Sequence, residues 1–265
     1  MESPFGWPGG KHKLKKTLLA AIPQHKAYVE VFSGSAKLLF AKDAGGWEII
    51  NDINNDLVNF FRVAKHRPSE LAERLEHDLI AAARFAELKQ EKPQSGEIER
   101  ALQFAYLAWY SFGSKGSHFA STTIQQLNKA KAPVRRSLVR VRTLLSDVAE
   151  RLRHVLVENR DFADCIRRYD SRDTFFYCDP PYTDFQENGR YKPLGERNRE
   201  LFQVLAGIKG KFLLSYDDSA EIRVLCKEFK FRVVRVKVPY SLSNQGTVIG
   251  NEVLVSNYPL PELSS

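Results

Sequence analysis

The chain holds little that would anchor it in a membrane or staple it covalently. No apolar run approaches the ~20 residues that a membrane span needs. The opening stretch "MESPFGWPGGKHKLKK" lacks the apolar core of a signal peptide, so the cytoplasm is the expected location. Cysteine is scarce, and Cys165, Cys178 and Cys226 are too widely spaced for a disulfide framework or a zinc pattern, so no metal is expected. Neither a G-x-G-x-x-G fingerprint nor a G-x-x-x-x-G-K-S/T cradle for phosphates occurs. Internal repeats and low-complexity tracts are missing too. Most telling is an absence of one charge sign: from Arg100 to Ser146 there is no Asp or Glu.

Within that acid-free stretch stand Arg100, Lys115, Lys129, Lys131, Arg135, Arg136, Arg140 and Arg142, in a chain of net charge +8. A solvated face usually mixes signs, so a long one-sign stretch points to phosphate neutralisation and a nucleic-acid partner, with a merely basic surface as the alternative. The 265 residues, 43% of them hydrophobic, suffice for one large α/β domain or a domain carrying an insertion.

The order of patterns favours the second. "KAYVEVFSGSAKLLFAKD" reads as a buried strand from Ala27 to Phe32, a tight turn at Ser33–Gly34–Ser35 and a helix from Ala36. "WEIINDIN" reads as a second strand ending at Asn51–Asp52, with a helix from Asn54 or Asn55. That β-α-β-α opening marks a parallel, doubly wound sheet. From Pro68 to Arg153 the pattern is mainly helical, in "SELAERLEHDLIAAARFAELKQ", "EIERALQFAYLAWYSF" and "KAPVRRSLVRVRTLLSDVAERLRHV". The third carries apolar residues at Val134, Leu138, Leu145 and Val148. Strands are expected again over 155–162, at "DTFFYCDPPY", over 210–218, 231–242 and 251–258, the last two as an antiparallel hairpin joined through "SNQGTVIG".

Ligands of open α/β sheets bind beyond the carboxyl ends of the strands. Polar clusters fall at four such ends. Gly34 lets backbone approach a ligand, or is a plain structural turn. Asp52, 18 residues later, stands where an acid takes ribose hydroxyls, or caps the next helix. Asp161, beside Phe162, could bond an adenine amino group while the ring packs on the purine, or is a turn residue. Asp179 ends the fourth strand, before Pro180, Pro181 and Tyr182. Together they describe a nucleoside-shaped site without a phosphate cradle, which favours S-adenosylmethionine over NAD or ATP.

The segments "WPGGKHKL", "VEVFSGSAKLLF", "NDIN", "RDF", "YCDPPY" and "LLSYDDSAEIRVL", in that order, resemble those of the Dam-type (D12 class, α-group) DNA N6-adenine methyltransferases. The resemblance covers residues 4–55 and 155–258. It implies a Rossmann-like class I S-adenosylmethionine-dependent methyltransferase sheet, residues 1–55 and 155–265, with a mainly helical target-recognition insertion over 56–154. It also implies that Trp7, Gly10, Lys11, Phe32, Gly34 and Ser35 help hold the cofactor, Asp52 its ribose, and Asp161 with Phe162 its adenine. Two positions depart from the family: Ala36 and Arg160 stand where it commonly has glycine.

By the same resemblance Asp179, Pro180, Pro181 and Tyr182 carry catalysis. An adenine N6 is a poor nucleophile because its lone pair is delocalised into the ring. Asp179 and the Pro180 carbonyl would each accept an N6–H, with Asp179 also at the cofactor's edge. Proline supplies an acceptor with fixed φ and no competing N–H, and Tyr182 offers a stacking face to a flipped base. The implied partner is double-stranded DNA, met by Arg135, Arg136, Arg140 and Arg142 and by Lys115, Ser117 and His118 in the loop Ser111–Thr123. A cognate restriction endonuclease is an optional further partner, and the state a monomer or weak dimer. Two rivals stay open: an amino-methyltransferase acting on cytosine N4, an RNA base or glutamine, and a DNA-binding homologue without catalysis.

Overall fold

The computed structural model describes residues 1–6, 14–91, 96–111, 116, 118–120, 138–182, 194–242 and 246–261. In chain order the described elements are α1 (Lys15–Ala21), β1 (Ala27–Glu30), α2 (Lys37–Ala41), β2 (Trp47–Asn51), α3 (Asn55–His66), α4 (Pro68–Glu76), α5 (Ala82–Gln90) and α6 (Glu97–Trp109). There follow α7 (Leu138–Leu152), β3 (Val155–Glu158), α8 (Phe162–Tyr169), β4 (Thr174–Cys178), α9 (Arg197–Ala206), β5 (Lys211–Asp217), α10 (Ala220–Glu228), β6 (Arg232–Leu242) and β7 (Gly246–Ser256). The chain divides into two compact units, Met1–Gly10 with Asn54–Val157, and Lys11–Ile53 with Glu158–Ser265.

The strands form one seven-stranded sheet in the order β3–β2–β1–β4–β5–β7–β6. β1 pairs in parallel with both β2 and β4, and β4 with β5, while β7 runs antiparallel between β5 and β6. This is a Rossmann-like, doubly wound sheet with an antiparallel hairpin at one edge. β4 is buried at all five positions, as a central parallel strand covered on both faces must be, and that is why "TFFYC" reads as an unbroken apolar run. One layer of the core joins Val29, Phe176, Phe212 and Val255 of the sheet to Ile166 of α8, Phe202 of α9 and Leu225 of α10. Winding reverses between β1 and β4, the switch point where open α/β sheets place their ligands.

Several strand limits differ from expectation, and the first strand ends at Glu30 rather than Phe32. The third ends at Glu158 rather than 162, because Arg160 turns to exchange hydrogen bonds with Asn51, N–H to Oδ1 at 2.9 Å and Nδ2–H to C=O at 3.1 Å. In the hairpin, residues 246–250 pair with 238–242 rather than forming the connection.

The other unit is helical. Phe5, 1% exposed, meets Phe60 and Phe104 edge-on at 5.1 and 5.5 Å, and the Trp109 indole donates to Pro4 C=O at 2.9 Å. These contacts tie Met1–Gly10 to the helices, although the expected boundary grouped it with the sheet. The run expected as one helix splits into α4 and α5. The Tyr106 hydroxyl accepts from Ala81 N–H at 3.1 Å and donates to Leu79 C=O at 2.6 Å, which satisfies backbone groups that a continuous helix would pair. α7 buries Val141, Leu145, Val148 and Leu152, a 3.6-residue stripe, while Val134 lies outside the described residues. Among the described residues no helix is long and apolar enough to cross a membrane, and no group of three or more His, Cys, Asp or Glu could hold a metal ion.

Candidate active site

The turn after β1 needs unusual backbone. Gly34 sits at φ 47° and Ala36, capping α2, at φ 51°, ψ 40°. Glycine adopts this left-handed conformation freely, whereas a Cβ there is penalised. Gly34 N–H donates to Asp52 Oδ2 at 2.9 Å, and Asp52 is 4% exposed. Asp52 is therefore not the cap of α3; that role belongs to Asn54, whose Oδ1 accepts from the N–H groups of Asp56 and Leu57 at 3.0 and 3.1 Å. Ser35 is buried and Phe32 half-buried beside this turn. Ile53, directly after Asp52, leaves 61% of its surface exposed. Neighbouring strand ends are laced by two asparagines: Asn51 Nδ2 also donates to Val31 C=O at 2.9 Å, and Asn159 Nδ2 to Asp52 C=O at 2.8 Å.

Asp161 does not end a strand. It is the N-cap of α8, with Oδ1 accepting from Ala163 N–H at 3.0 Å. Its Oδ2 faces Arg197 Nη1 at 2.8 Å. Burial pushes the Asp161 carboxyl up, but the Arg197 guanidinium and the Ala163 N–H outweigh it and hold the group below its usual range. Phe162 packs against Phe32 at 5.6 Å between ring centres, and the Arg197 guanidinium lies over its ring at 4.4 Å.

At the end of β4, Asp179 Oδ1 accepts from Ser215 Oγ at 2.9 Å. An ionised carboxylate can only accept, so the serine proton points to Asp179 and Ser215 Oγ in turn accepts from Tyr177 OH, 3.1 Å away. Burial, reinforced by the Asp179 charge, raises the Tyr177 hydroxyl well above its ordinary value and keeps it a donor. Tyr182 stacks on Tyr216 with centres 5.5 Å apart and planes 25° apart. The Tyr216 hydroxyl donates to Asn198 Oδ1 at 2.7 Å and lies 3.2 Å from Pro181 C=O, which ties α9 to the Pro-Pro segment. Pro180, directly after Asp179, is buried.

The register brings these pieces together, since Glu30 of β1 lies opposite Tyr177 of β4 and Val31 N–H bonds Tyr177 C=O at 3.0 Å. The Gly34 turn and Asp179 thus leave the sheet from adjacent strands at its switch point. Ser215, Tyr216, Asn198, Arg197, Asn51 and Asn159 carry no role in the sequence reading. Ser215 had a signal, a polar residue inside the apolar run "FLLSY", and Arg197 had none.

Trp7, Gly10, Lys11, Lys115, Ser117, Arg135 and Arg136 lie outside the described residues. His118 and Arg140 are exposed, while Arg142 forms a forked ion pair with Glu76, Nε to Oε1 at 3.0 Å. Among the described residues of the candidate recognition loop, Ser111 bridges to Phe119, and Ser111 Oγ accepts from Gly116 N–H at 2.7 Å.

The chain is similar to known proteins over most of its length. The chain is 25% identical over 275 residues to the Type II methyltransferase M1.LlaDCHI of Lactococcus lactis subsp. cremoris, covering 95% of this chain and 94% of that one. It is 24% identical over 256 residues to the DNA adenine methylase of Escherichia coli (strain K12), covering 91% and 89%. With the DNA adenine methylase of Vibrio cholerae serotype O1 (strain ATCC 39541 / Classical Ogawa 395 / O395) identity is 22% over 268 residues, covering 94% and 93%. Residues 7–241 match the family model of the D12 class N6 adenine-specific DNA methyltransferases, and the chain belongs to that family.

Proposed function

We propose that this adenine-N6 DNA methyltransferase takes its methyl group from S-adenosylmethionine and acts on a base flipped out of duplex DNA. When bound, S-adenosylmethionine supplies a methyl group carried on a positively charged sulfur. The donor set suits a nucleoside without phosphates: a buried carboxylate at Asp52, the exposed apolar surface of Ile53 beside it, and a second carboxylate and ring at Asp161 and Phe162. In this reading Asp52 takes the ribose hydroxyls, and Asp161 with Phe162 takes the adenine. Trp7, Gly10 and Lys11, with Phe32, Gly34 and Ser35, complete the subsite, and Asp179 closes it on the substrate side.

The chain's own chemistry is acceptor placement. Asp179 takes one N6–H and the Pro180 carbonyl the other, which draws the amine toward tetrahedral geometry and frees its lone pair. A carboxylate has about four acceptor sites, and Ser215 orients the group through one of them. A flipped adenine on Tyr182 would extend the stack already begun by Tyr216, offsetting part of the cost of leaving the duplex. The helical unit supplies target recognition, with Lys115, Ser117 and His118 toward the bases and Arg135, Arg136, Arg140 and Arg142 toward phosphates. For Arg142 this requires giving up Glu76. The protein works in the cytoplasm as a monomer or weak dimer, and a restriction endonuclease partner is not required.

The observation that carries this reading is the position of Asp179: it ends β4 at the switch point, oriented by a buried serine and followed by a Pro-Pro-Tyr turn. The test is mass spectrometry of digested DNA after incubation with isotopically labelled S-adenosylmethionine. N6-methyladenine is expected; N4-methylcytosine alone, or no product across diverse DNA, refutes the reading. Asp179→Ala should lose more than about 100-fold in rate, the typical cost of removing one preorganised polar group, with its thermal melt retained.

A further inference from the structure

Arg197 begins α9 and belongs to no motif in the sequence. Its guanidinium makes two contacts at once: Nη1 lies 2.8 Å from Asp161 Oδ2, and the group covers the Phe162 ring at 4.4 Å. Phe162 is 3% exposed, so with Arg197 in place its ring has almost no surface left for a ligand. A guanidinium is flat, delocalised and rimmed with N–H donors. Those are the features an aminopurine would present here, an N–H for the Asp161 carboxylate and a plane for the Phe162 ring. Arg197 thus occupies the position assigned above to the adenine of the methyl donor.

We infer that Arg197 is a built-in competitor for the adenine subsite: it must swing aside before the purine seats, and so sets the affinity for the donor. The inference rests on Asp161 and Phe162 being that subsite.

The local chemistry permits the exchange. Arg197 Nε already bonds Glu200 Oε2 at 2.9 Å, one turn along its own helix, so the displaced guanidinium keeps a carboxylate partner. Asp161 caps α8 through Oδ1, whereas Arg197 holds Oδ2, so the cap survives the exchange. The ion pair is half open to water, with side chains 46% and 31% exposed. Open ion pairs and exposed cation–π contacts are individually weak. The competition therefore costs the donor a modest factor, roughly 3- to 30-fold in Kd, rather than closing the site.

The test uses calorimetric titration of the full chain with two probes, S-adenosylhomocysteine and neutral adenosine, on wild type, Arg197→Gln and Arg197→Lys. Adenosine isolates the purine subsite from charge effects elsewhere on the cofactor. Arg197→Gln should bind both probes roughly 3- to 30-fold more tightly than wild type. Arg197→Lys keeps the charge without the plane and should fall between them. Wild-type affinity for adenosine should rise with salt, because screening weakens the competing ion pair, and that of Arg197→Gln should stay flat. Unchanged or weaker binding by folded Arg197→Gln overturns the inference, the weaker case meaning that Arg197 clamps the purine. If Arg197→Gln fails to fold, Arg197→Lys and the salt dependence of wild type decide alone. Wild type that binds S-adenosylhomocysteine while Arg197 variants show no gain sinks only the inference. Wild type that binds neither probe and methylates no DNA sinks the reading beneath it.

Discussion

Replacing Ser215 with alanine should slow methylation by about 10- to 100-fold, which corresponds to ~1.4–2.7 kcal/mol in the transition state. Ser215 is 0% exposed and its hydroxyl links two groups, accepting from Tyr177 and donating to Asp179. A hydrogen bond to a charged acceptor is worth about 1.5–3 kcal/mol, and here it fixes the rotamer of the carboxylate that receives N6–H. The same change strands the buried Tyr177 hydroxyl, at about 1–3 kcal/mol of stability, or roughly 2–4 °C in Tm per kcal/mol for a chain near this size. Both effects should appear together, so a second variant separates them. Tyr177→Phe removes the buried hydroxyl but leaves the Ser215–Asp179 bond, and should keep its rate within a few-fold of wild type. The assay is steady-state incorporation of labelled methyl groups into DNA, with KM for the methyl donor measured alongside kcat. The loss should fall on kcat. If Ser215→Ala lowers Tm but leaves kcat within twofold of wild type, Ser215 is a core residue only and the orientation argument fails.

Ala36→Gly relieves a left-handed Cβ worth about 1–2 kcal/mol, but forfeits about 0.4–1 kcal/mol of chain entropy and a buried methyl worth ~0.8 kcal/mol, so thermal melts should show almost no change. Ala36→Val, with a β-branched residue forced to φ 51°, should melt well below wild type. The thiols of Cys165 and Cys226 are pushed up to about 12 and about 11, chiefly by burial, and Cys178 is raised as well. All three should resist a thiol reagent at pH 8 until denaturant is added. Because these thiols stay neutral in the folded state while unfolded ones ionise, their contribution to stability is complete below about pH 9, the ordinary thiol range, and is lost as pH rises toward about 12. DNA affinity should fall steeply with salt, and neutralising one of Arg135, Arg136, Arg140 or Arg142 should flatten the slope by about one unit if that residue meets a phosphate. Alanine at Lys115, Ser117 and His118 together should change the methylated sequence; unchanged sites and rate would remove the loop from recognition.

Local patterns wrote much of this fold into the chain. Apolar runs ending in polar clusters marked the strands at Val29, Ile49, Phe176 and Leu213, and Pro180–Pro181, with no N–H for a ladder, marked where β4 must stop. The family was legible through the resemblance of "VEVFSGSAKLLF", "NDIN", "RDF" and "YCDPPY", in that order, to its segments. Local reading was weakest where two roles share one residue type. Asp52 was readable as a cap or a ligand group, and Asp161 as a turn residue or a ligand group. The structure gives the cap of α3 to Asn54 and makes Asp161 a cap with one oxygen while Arg197 holds the other.

What tertiary structure alone decided is which distant groups meet. Strand order set β1 beside β4, and so the Gly34 turn beside Asp179. Ser215 reaches Asp179 across 36 positions and Asn51 reaches Arg160 across 109. Hydrophobic period and backbone stereochemistry act over a few residues and leave their signature in the sequence. The choice of strand neighbours depends on burying both faces of a shared sheet, a property of the assembled core that no single segment carries.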